Sequence, residues 1–364
     1  MRSLRILHTE SSLGWGGQEI RVLTEARGVA RRGHAVTLAA PAEARIAQEA
    51  SRYGVPTTTL PIARKNMRGL AALRHFLGRE RFDVVNTHSS TDSWLAALAC
   101  ATRDAAPPIV RTRHISAPAG RNAATRWLYG RATARIVTTG ERLRRQVIEE
   151  TGVDAARVVS IPTGIDLEKY KPGDRGTARA ALGLPHDLAI VGIVATLRDW
   201  KGHHDLLRAV AKVSPRPLLV VVGDGPQRAS LKSLAAELRL GESVRFAGEQ
   251  ADVAPWLHTF DVFCLPSYAN EGVPQALMQA MACGLAVVTT DVGSIAEIVT
   301  DGVTGVFTAP RDPDALASTL GALLREPSRR ASLGARAEAV ARERFGEDRM
   351  VERMLAVFSE AARP

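Results

Sequence analysis

The chain reads as an α/β protein made of two doubly wound, mostly parallel sheets. Three observations predict it. Short apolar runs recur along the whole chain with amphipathic segments between them, the alternation that builds parallel sheets covered by helices. That alternation breaks once, at PTGIDLEKYKP over residues 162–172, where two prolines, a glycine and mixed charge leave no periodicity. A length of 364 residues suits about two domains, each able to bury its own core.

The first half opens with a strand over 4–8, a loop containing GWGG, and a helix over about 18–32. A strand over 35–40 and a helix around 43–53 follow, then a short edge-like strand over 55–61. Residues 66–79 form an amphipathic helix with Met67, Leu70, Leu73, Phe76 and Leu77 on one side. Further short strands are expected at 83–87, 109–112, 136–139 and 158–161. The second half repeats the pattern with strands at 189–195, 218–222, 244–247, 261–265, 286–289 and 304–308. Helices are expected from 202, from 226, near 253, from 273 and over the C-terminal stretch. The expected domains are residues 1–168 and 169–345, with 346–364 as a terminal helical segment.

Composition narrows the function classes. With 45% hydrophobic and 24% charged residues the chain is of ordinary globular composition, and it has no run of about 18 apolar residues that would span a membrane. The N-terminus enters a strand without a secretory signal pattern, and Cys100, Cys264 and Cys283 lack metal spacing, so a cytoplasmic protein with reduced core cysteines is expected. The net charge of +10 is lopsided: residues 1–165 carry 25 Lys and Arg against 13 Asp and Glu, and the remainder carry 23 against 25. Such a field attracts nucleic acid, anionic lipid or an anionic small substrate. Aromatic residues make up only 5%, with no basic–aromatic interleaving, which disfavours nucleic acid.

Four stretches carry chemistry, each at the carboxyl end of an expected strand, where open α/β sheets bind ligands. PSYANEGVPQALMQAMACG (266–284) runs from strand to helix with Glu271 and Gly272 at the mouth; Glu271 either caps the helix or accepts hydrogen bonds from a polyol, and Pro274 suits the first helical turn. GIVATLRDWKG (192–202) presents Arg198 and Lys201, a pair suited to a diphosphate or to a solvated turn. VGDGP (222–226) offers Gly223 and Gly225 for close backbone approach or for a tight turn alone. GWGGQE places Gly16 and Gly17 before the first helix, for packing or for phosphate and sugar contact, without the GxGxxG dinucleotide fingerprint. His88 and His114 lie just beyond two first-half strands, with Arg111 and Arg113 adding charge beside His114. No GxSxG, HExxH or P-loop occurs, and the one DxD, Asp312-Pro313-Asp314, reads as helix capping rather than a metal site.

Taken together these motifs resemble the retaining family 4 glycosyltransferases of the GT-B fold. GIVATLRDWKG, VVGDGPQRASL, VRFAGEQADVAPWL, the 261–299 stretch and DGVTGVFT stand in the family's order; GWGGQE, GHAVTLAA, FDVVNTHSS and IPTGID match more loosely. The resemblance implies two Rossmann-like domains facing a central cleft and a C-terminal helix, about 347–362, returning to the first domain. It implies that Arg198 and Lys201 hold the donor diphosphate, that Glu271 lies close to the transferred sugar, and that Gly272 and Val273 offer backbone amides. Gly16 and Gly17 match a loop facing donor phosphate or acceptor, and His114 matches a histidine near the donor sugar.

One position departs from the family. Gln279 stands where the motif's second glutamate binds ribose hydroxyls, so one acceptor is replaced by a donor amide and nucleotide binding is expected to be re-tuned. The implied activity is sugar transfer from a nucleoside diphosphate sugar to a hydroxyl, with retention and without metal or other cofactor, in lipopolysaccharide or other cell-surface glycan assembly. The expected acceptor is lipid-linked or a saccharide. Arg64, Lys65, Arg68, Arg74, Arg79 and Arg81, and Arg121, Arg126, Arg131 and Arg135, suit either an anionic membrane surface, as for a peripheral enzyme at the inner face, or a merely solvated basic face. A sugar-nucleotide epimerase of the same fold and a non-catalytic nucleotide-sugar-binding homologue are the alternatives.

Overall fold

The computed structural model describes residues 2–114, 117–269 and 271–363. The chain divides into two compact units, Met1–Gly164 with Glu347–Pro364, and Ile165–Gly346. The first crossover between units falls inside the aperiodic PTGIDLEKYKP stretch.

The first unit holds a seven-stranded parallel sheet of β1 (Arg5–Thr9), β2 (Ala35–Ala40), β3 (Thr57–Thr59), β4 (Val84–Thr87), β5 (Ile109–Arg113), β6 (Arg135–Thr138) and β7 (Val158–Ser160), in the order β3-β2-β1-β4-β5-β6-β7. The order reverses between β1 and β4, which pair in register His8 to Asn86. Alternation along β1 divides the apolar core: Ile6 joins the face covered by the helix Gly17–Arg31, and Leu7 the face covered by Met67–Arg79 and Ser90–Ala101.

The C-terminal helix Glu347–Ala361 belongs to this unit. Its Met350, Val351, Met354, Leu355, Val357 and Phe358 complete the Ile6 side of the core. Its acidic first turn meets the first helix through Arg27–Glu347 at 2.8 Å and Arg32–Asp348 at 2.6 Å. Val351 packs so closely on Gly28 that any side chain there would collide with it.

The second unit holds a six-stranded parallel sheet of β8 (Ile190–Val194), β9 (Leu218–Val222), β10 (Val244–Gly248), β11 (Val262–Leu265), β12 (Ala286–Thr289) and β13 (Val306–Phe307), in the order β10-β9-β8-β11-β12-β13. Here the reversal lies between β8 and β11. Both strands are apolar throughout and fully buried, as strands covered on two faces must be. All three cysteines are free and buried.

Some expectations shift by a residue or in role. Pro274 is the N-cap of the helix Gln275–Ala282 rather than part of its first turn. Asp312 caps the helix Pro313–Arg325, its Oδ1 accepting from the N–H of Asp314 and of Ala315. Within the basic stretches, Arg74 donates to the Thr102 carbonyl at 2.7 Å and Arg135 lies 3.4 Å from Glu360, so these two serve packing within the first unit.

Candidate active site

In the second unit the loops after β8 and β11 meet where the strand order reverses, the position at which open α/β sheets bind ligands. After β8 the chain makes a one-turn 3-10 helix, Asp199–Lys201, capped by Arg198 and closed by Gly202 at φ +75°. A side chain at Gly202 would collide with the Pro266 carbonyl, so glycine lets the two loops touch. Tyr268 N–H then donates to the Trp200 carbonyl at 2.9 Å, and its hydroxyl donates to Asp199.

This join brings Lys201 Nζ to 2.6 Å from Glu271 Oε1. The same oxygen accepts from Ser267 Oγ at 2.5 Å, and Glu271 is only 4% exposed. Among the described residues no donor bonds Oε2. Glu271 therefore does not cap the following helix; it is a buried, oriented carboxylate with one acceptor oxygen to spare. Behind it, Gly293 at φ +67° allows close approach to the Glu271 backbone, where Ser294 N–H donates to the Glu271 carbonyl at 3.4 Å.

Arg198 is exposed at the start of the turn, with its guanidinium carbon 5.6 Å from the Trp200 ring. Gly272 is half-buried and Val273 buried, both ahead of the helix Gln275–Ala282. Gln279 lies in that helix, 9% exposed, with no side-chain hydrogen bond among the described residues. Gly223 and Gly225 back directly onto Ala195 and Leu197, and Gly223 N–H donates to the Gly248 carbonyl at 2.8 Å, so both serve the β8–β9 loop packing.

His203, which no sequence motif singles out, begins the helix after Gly202 and is buried; the Arg198 backbone is a weak partner, and no ring nitrogen has one of full hydrogen-bond geometry among the described residues. Burial and then the Lys201 charge push its pKa down to about 3, so it is neutral beneath the cationic turn.

In the first unit His114 is the outermost of three connected histidines. His8 Nδ1 lies 3.0 Å from His88 Nε2, and His88 Nδ1 lies 3.0 Å from His114 Nε2. The rings of each neighbouring pair are 5.3 Å apart. The three stand at the carboxyl ends of β1, β4 and β5, neighbouring strands in the sheet. Burial lowers the pKa of His8 to about 3 and those of His88 and His114 well below the usual value, so all three are neutral.

Each neutral ring has one N–H, and His8 Nε2 is buried without a partner among the described residues. An unpartnered N–H is rarer in a protein interior than an unpartnered lone pair, so the lone pair belongs at His8 Nε2. The chain therefore donates outward, His8 to His88 to His114, and His114 carries its N–H at Nδ1. In the sequence His8 reads as an ordinary strand residue. Its signal was a polar residue at the carboxyl end of the first strand, as with His88 and His114.

Gly16 is the N-cap of the helix Gly17–Arg31, in extended backbone, with its carbonyl accepting from Ile20 N–H at 3.1 Å. Next to that turn sits Glu10, whose carboxyl accepts from Ser12 N–H at 2.8 Å, Gln18 Nε2 at 2.6 Å and Ser89 Oγ. Burial, then the neighbouring Asp92, raise its pKa to about 8. Asp92, itself raised to about 6 by burial, caps the helix Ser90–Ala101 through the N–H of Ser89.

The model for Glycosyl transferases group 1 matches residues 174–340, and that for Glycosyltransferase Family 4 matches residues 15–169. A D-inositol 3-phosphate glycosyltransferase of Mycolicibacterium paratuberculosis is 32% identical, covering 96% of this chain and 86% of the relative. One from Mycobacterium avium is 33% identical over 86% of this chain and 76% of the relative. Among solved structures, a glycosyltransferase from Rickettsia africae matches with TM-score 0.89 at 18% identity over 100% of both chains. Anabaena Alr3699/HepE, solved with UDP and glucose, matches with TM-score 0.86 at 22% identity over 98% of this chain and 100% of the other.

Proposed function

The chain belongs to the family 4 glycosyltransferases of the GT-B fold, and on that premise we propose that it transfers a sugar from a nucleoside diphosphate sugar to a hydroxyl acceptor with retention at the anomeric carbon. The observation that carries the reading is the Lys201–Glu271 contact at the reversal of the second sheet, with Arg198 in the same turn. As the diphosphate leaves, negative charge grows on its oxygens. Arg198 supplies a planar fork and Lys201 a compact charge for it, without a metal. Glu271 fixes Lys201 and turns its spare oxygen to a sugar hydroxyl. The acceptor hydroxyl enters on the face the diphosphate leaves, forms the new C–O bond, and gives its proton to the departing phosphate oxygen.

The acceptor side of the reading is assembly of a cell-surface glycan or of a phosphorylated polyol conjugate, the latter supported by the relatives named for D-inositol 3-phosphate. Peripheral contact with an anionic membrane is part of the same proposal. Exposed Arg64, Lys65 and Arg68 surround Met67, which is 75% exposed, and no described helix is long and apolar enough to cross a membrane.

The test is a thermal-shift screen of UDP-, GDP- and ADP-sugars, followed by ¹H NMR of the product from whichever donor binds. An α-linked product from an α-configured donor supports the reading; inversion, or epimerisation of the donor alone, overturns it. Flotation with anionic and neutral vesicles tests the membrane contact, which fails if no salt-sensitive binding is seen.

A further inference from the structure

Beside the histidine chain, at the carboxyl ends of β4 and β5, a pocket of about 220 Å³ is lined by residues including Ser90, Trp94, Arg111, Arg113 and Tyr129. β5 is an inner strand, paired with both β4 and β6. Arg111 and Arg113 therefore share one face, while Thr112 on the other donates to Asn86 Oδ1 at 2.9 Å. Two arginines on an inner strand demand an explanation.

Arg113 has one: its guanidinium donates to the Tyr129 hydroxyl at 2.5 Å and to the Ala117 carbonyl. For Arg111 no hydrogen-bonding partner of Nη1 is found among the described residues. It is 7% exposed, and its guanidinium carbon lies 4.3 Å from the Tyr129 ring centroid. Among the described residues no carboxylate lines the pocket. The charge of Asp92 is felt by Arg111, but its oxygens already accept from Thr9, Ser11 and the N–H groups of His88 and Ser89. Lys65 adds a third cation at the rim, donating to Ser90 Oγ at 3.2 Å and lying 5.9 Å from the Trp94 ring. Burial and the charge of Arg113 both push the Arg111 pKa down, and burial, then the charge of Arg111, lower that of Lys65. A buried guanidinium in this state is stabilised by an anion.

We propose that this pocket binds a phosphate monoester carried by the acceptor, with the Arg111 fork as its principal ligand and Arg113 and Lys65 adding positive charge. The planar fork meets two phosphate oxygens at once. As an acceptor subsite it rests on the glycosyl-transfer reading; as a phosphate site it does not. The ester is either a soluble polyol phosphate or the headgroup of a lipid.

The experiment is calorimetric titration of the full chain with inorganic phosphate at constant ionic strength, for wild type, Arg111→Met and Arg111→Lys. Wild type binds phosphate, Arg111→Met binds it roughly 10–100-fold more weakly, and Arg111→Lys falls between. Arg111→Met melts no lower than wild type in phosphate-free buffer, because an unpaired buried charge is replaced by an apolar chain of similar length. A merely structural arginine gives the reverse: a lower melting temperature with phosphate affinity unchanged, which overturns the proposal, as does absence of phosphate binding by wild type. The source is read by comparing D-inositol 3-phosphate with inositol, and phosphatidic acid vesicles with phosphatidylcholine vesicles. Arg111-dependent binding in either arm supports the site and identifies the source; dependence in neither overturns the assignment to a phosphate ester. Sugar-nucleotide binding is measured on the same samples, so loss of the transferase reading is seen separately from loss of the phosphate site.

Discussion

Lys201 Nζ and Glu271 Oε1 stand 2.6 Å apart although 70 residues separate them, because β8 and β11 are neighbours across the point where the strand order reverses. The ammonium side chain is 19% exposed and the carboxylate 4%, so the pair is largely withdrawn from water. Removing one member leaves the other poorly compensated. Lys201→Ala is expected to lower unfolding free energy by about 3 kcal/mol, read by urea denaturation, and to cut kcat by about 100-fold or more. A variant with unchanged stability would show that the contact does not organise the site.

Much of this site was legible in the chain. Arg198, Lys201 and Glu271 follow apolar runs whose length marks buried strands, and strand ends are where ligands bind. The contact itself was not legible, because neighbouring order in a parallel sheet is set by crossovers and not by local periodicity. Ser267 was missed for the same reason: four residues before Glu271 in a loop, it orients the carboxylate only because the loop folds back. His8 looked like strand filler until β1, β4 and β5 stood side by side. Gly223 and Gly225 had two open readings, and their contact with Ala195 and Leu197 favours packing.

The histidine chain makes a spectroscopic prediction. Long-range ¹H–¹⁵N NMR at neutral pH should find His8, His88 and His114 neutral, each with its proton on Nδ1. Nε2-protonated rings would reverse the chain and put an unsatisfied N–H at His8.

Glu10 makes a pH prediction. Its folded pKa, raised to about 8, gives a stabilising contribution present below its ordinary value of 4.5 and lost as pH rises toward 8. Glu10→Gln should remove that loss, so the stability of the variant relative to wild type should increase between pH 5 and 8 in urea titrations. His8, lowered to about 3, acts oppositely: its contribution is present above 6.5 and lost as pH falls toward 3. A constant difference between Glu10→Gln and wild type across that window would contradict the assigned shift.

Gln279 is buried with no bonded partner among the described residues, in the helix that follows Glu271. If it meets the ribose, Gln279→Glu should strengthen binding of the preferred nucleoside diphosphate by roughly tenfold in calorimetric titration, since an ionised acceptor holds hydroxyls more strongly. Markedly weaker binding would contradict the ribose assignment.

The central claim is that the cationic turn after β8 stabilises a departing diphosphate. Its most direct test is kcat for nucleoside diphosphate release from the bound sugar nucleotide, compared between wild type and Arg198→Ala at saturating donor. A fall of about 100-fold or more is the expected result, with the fold intact by circular dichroism. A near-wild-type kcat would contradict it.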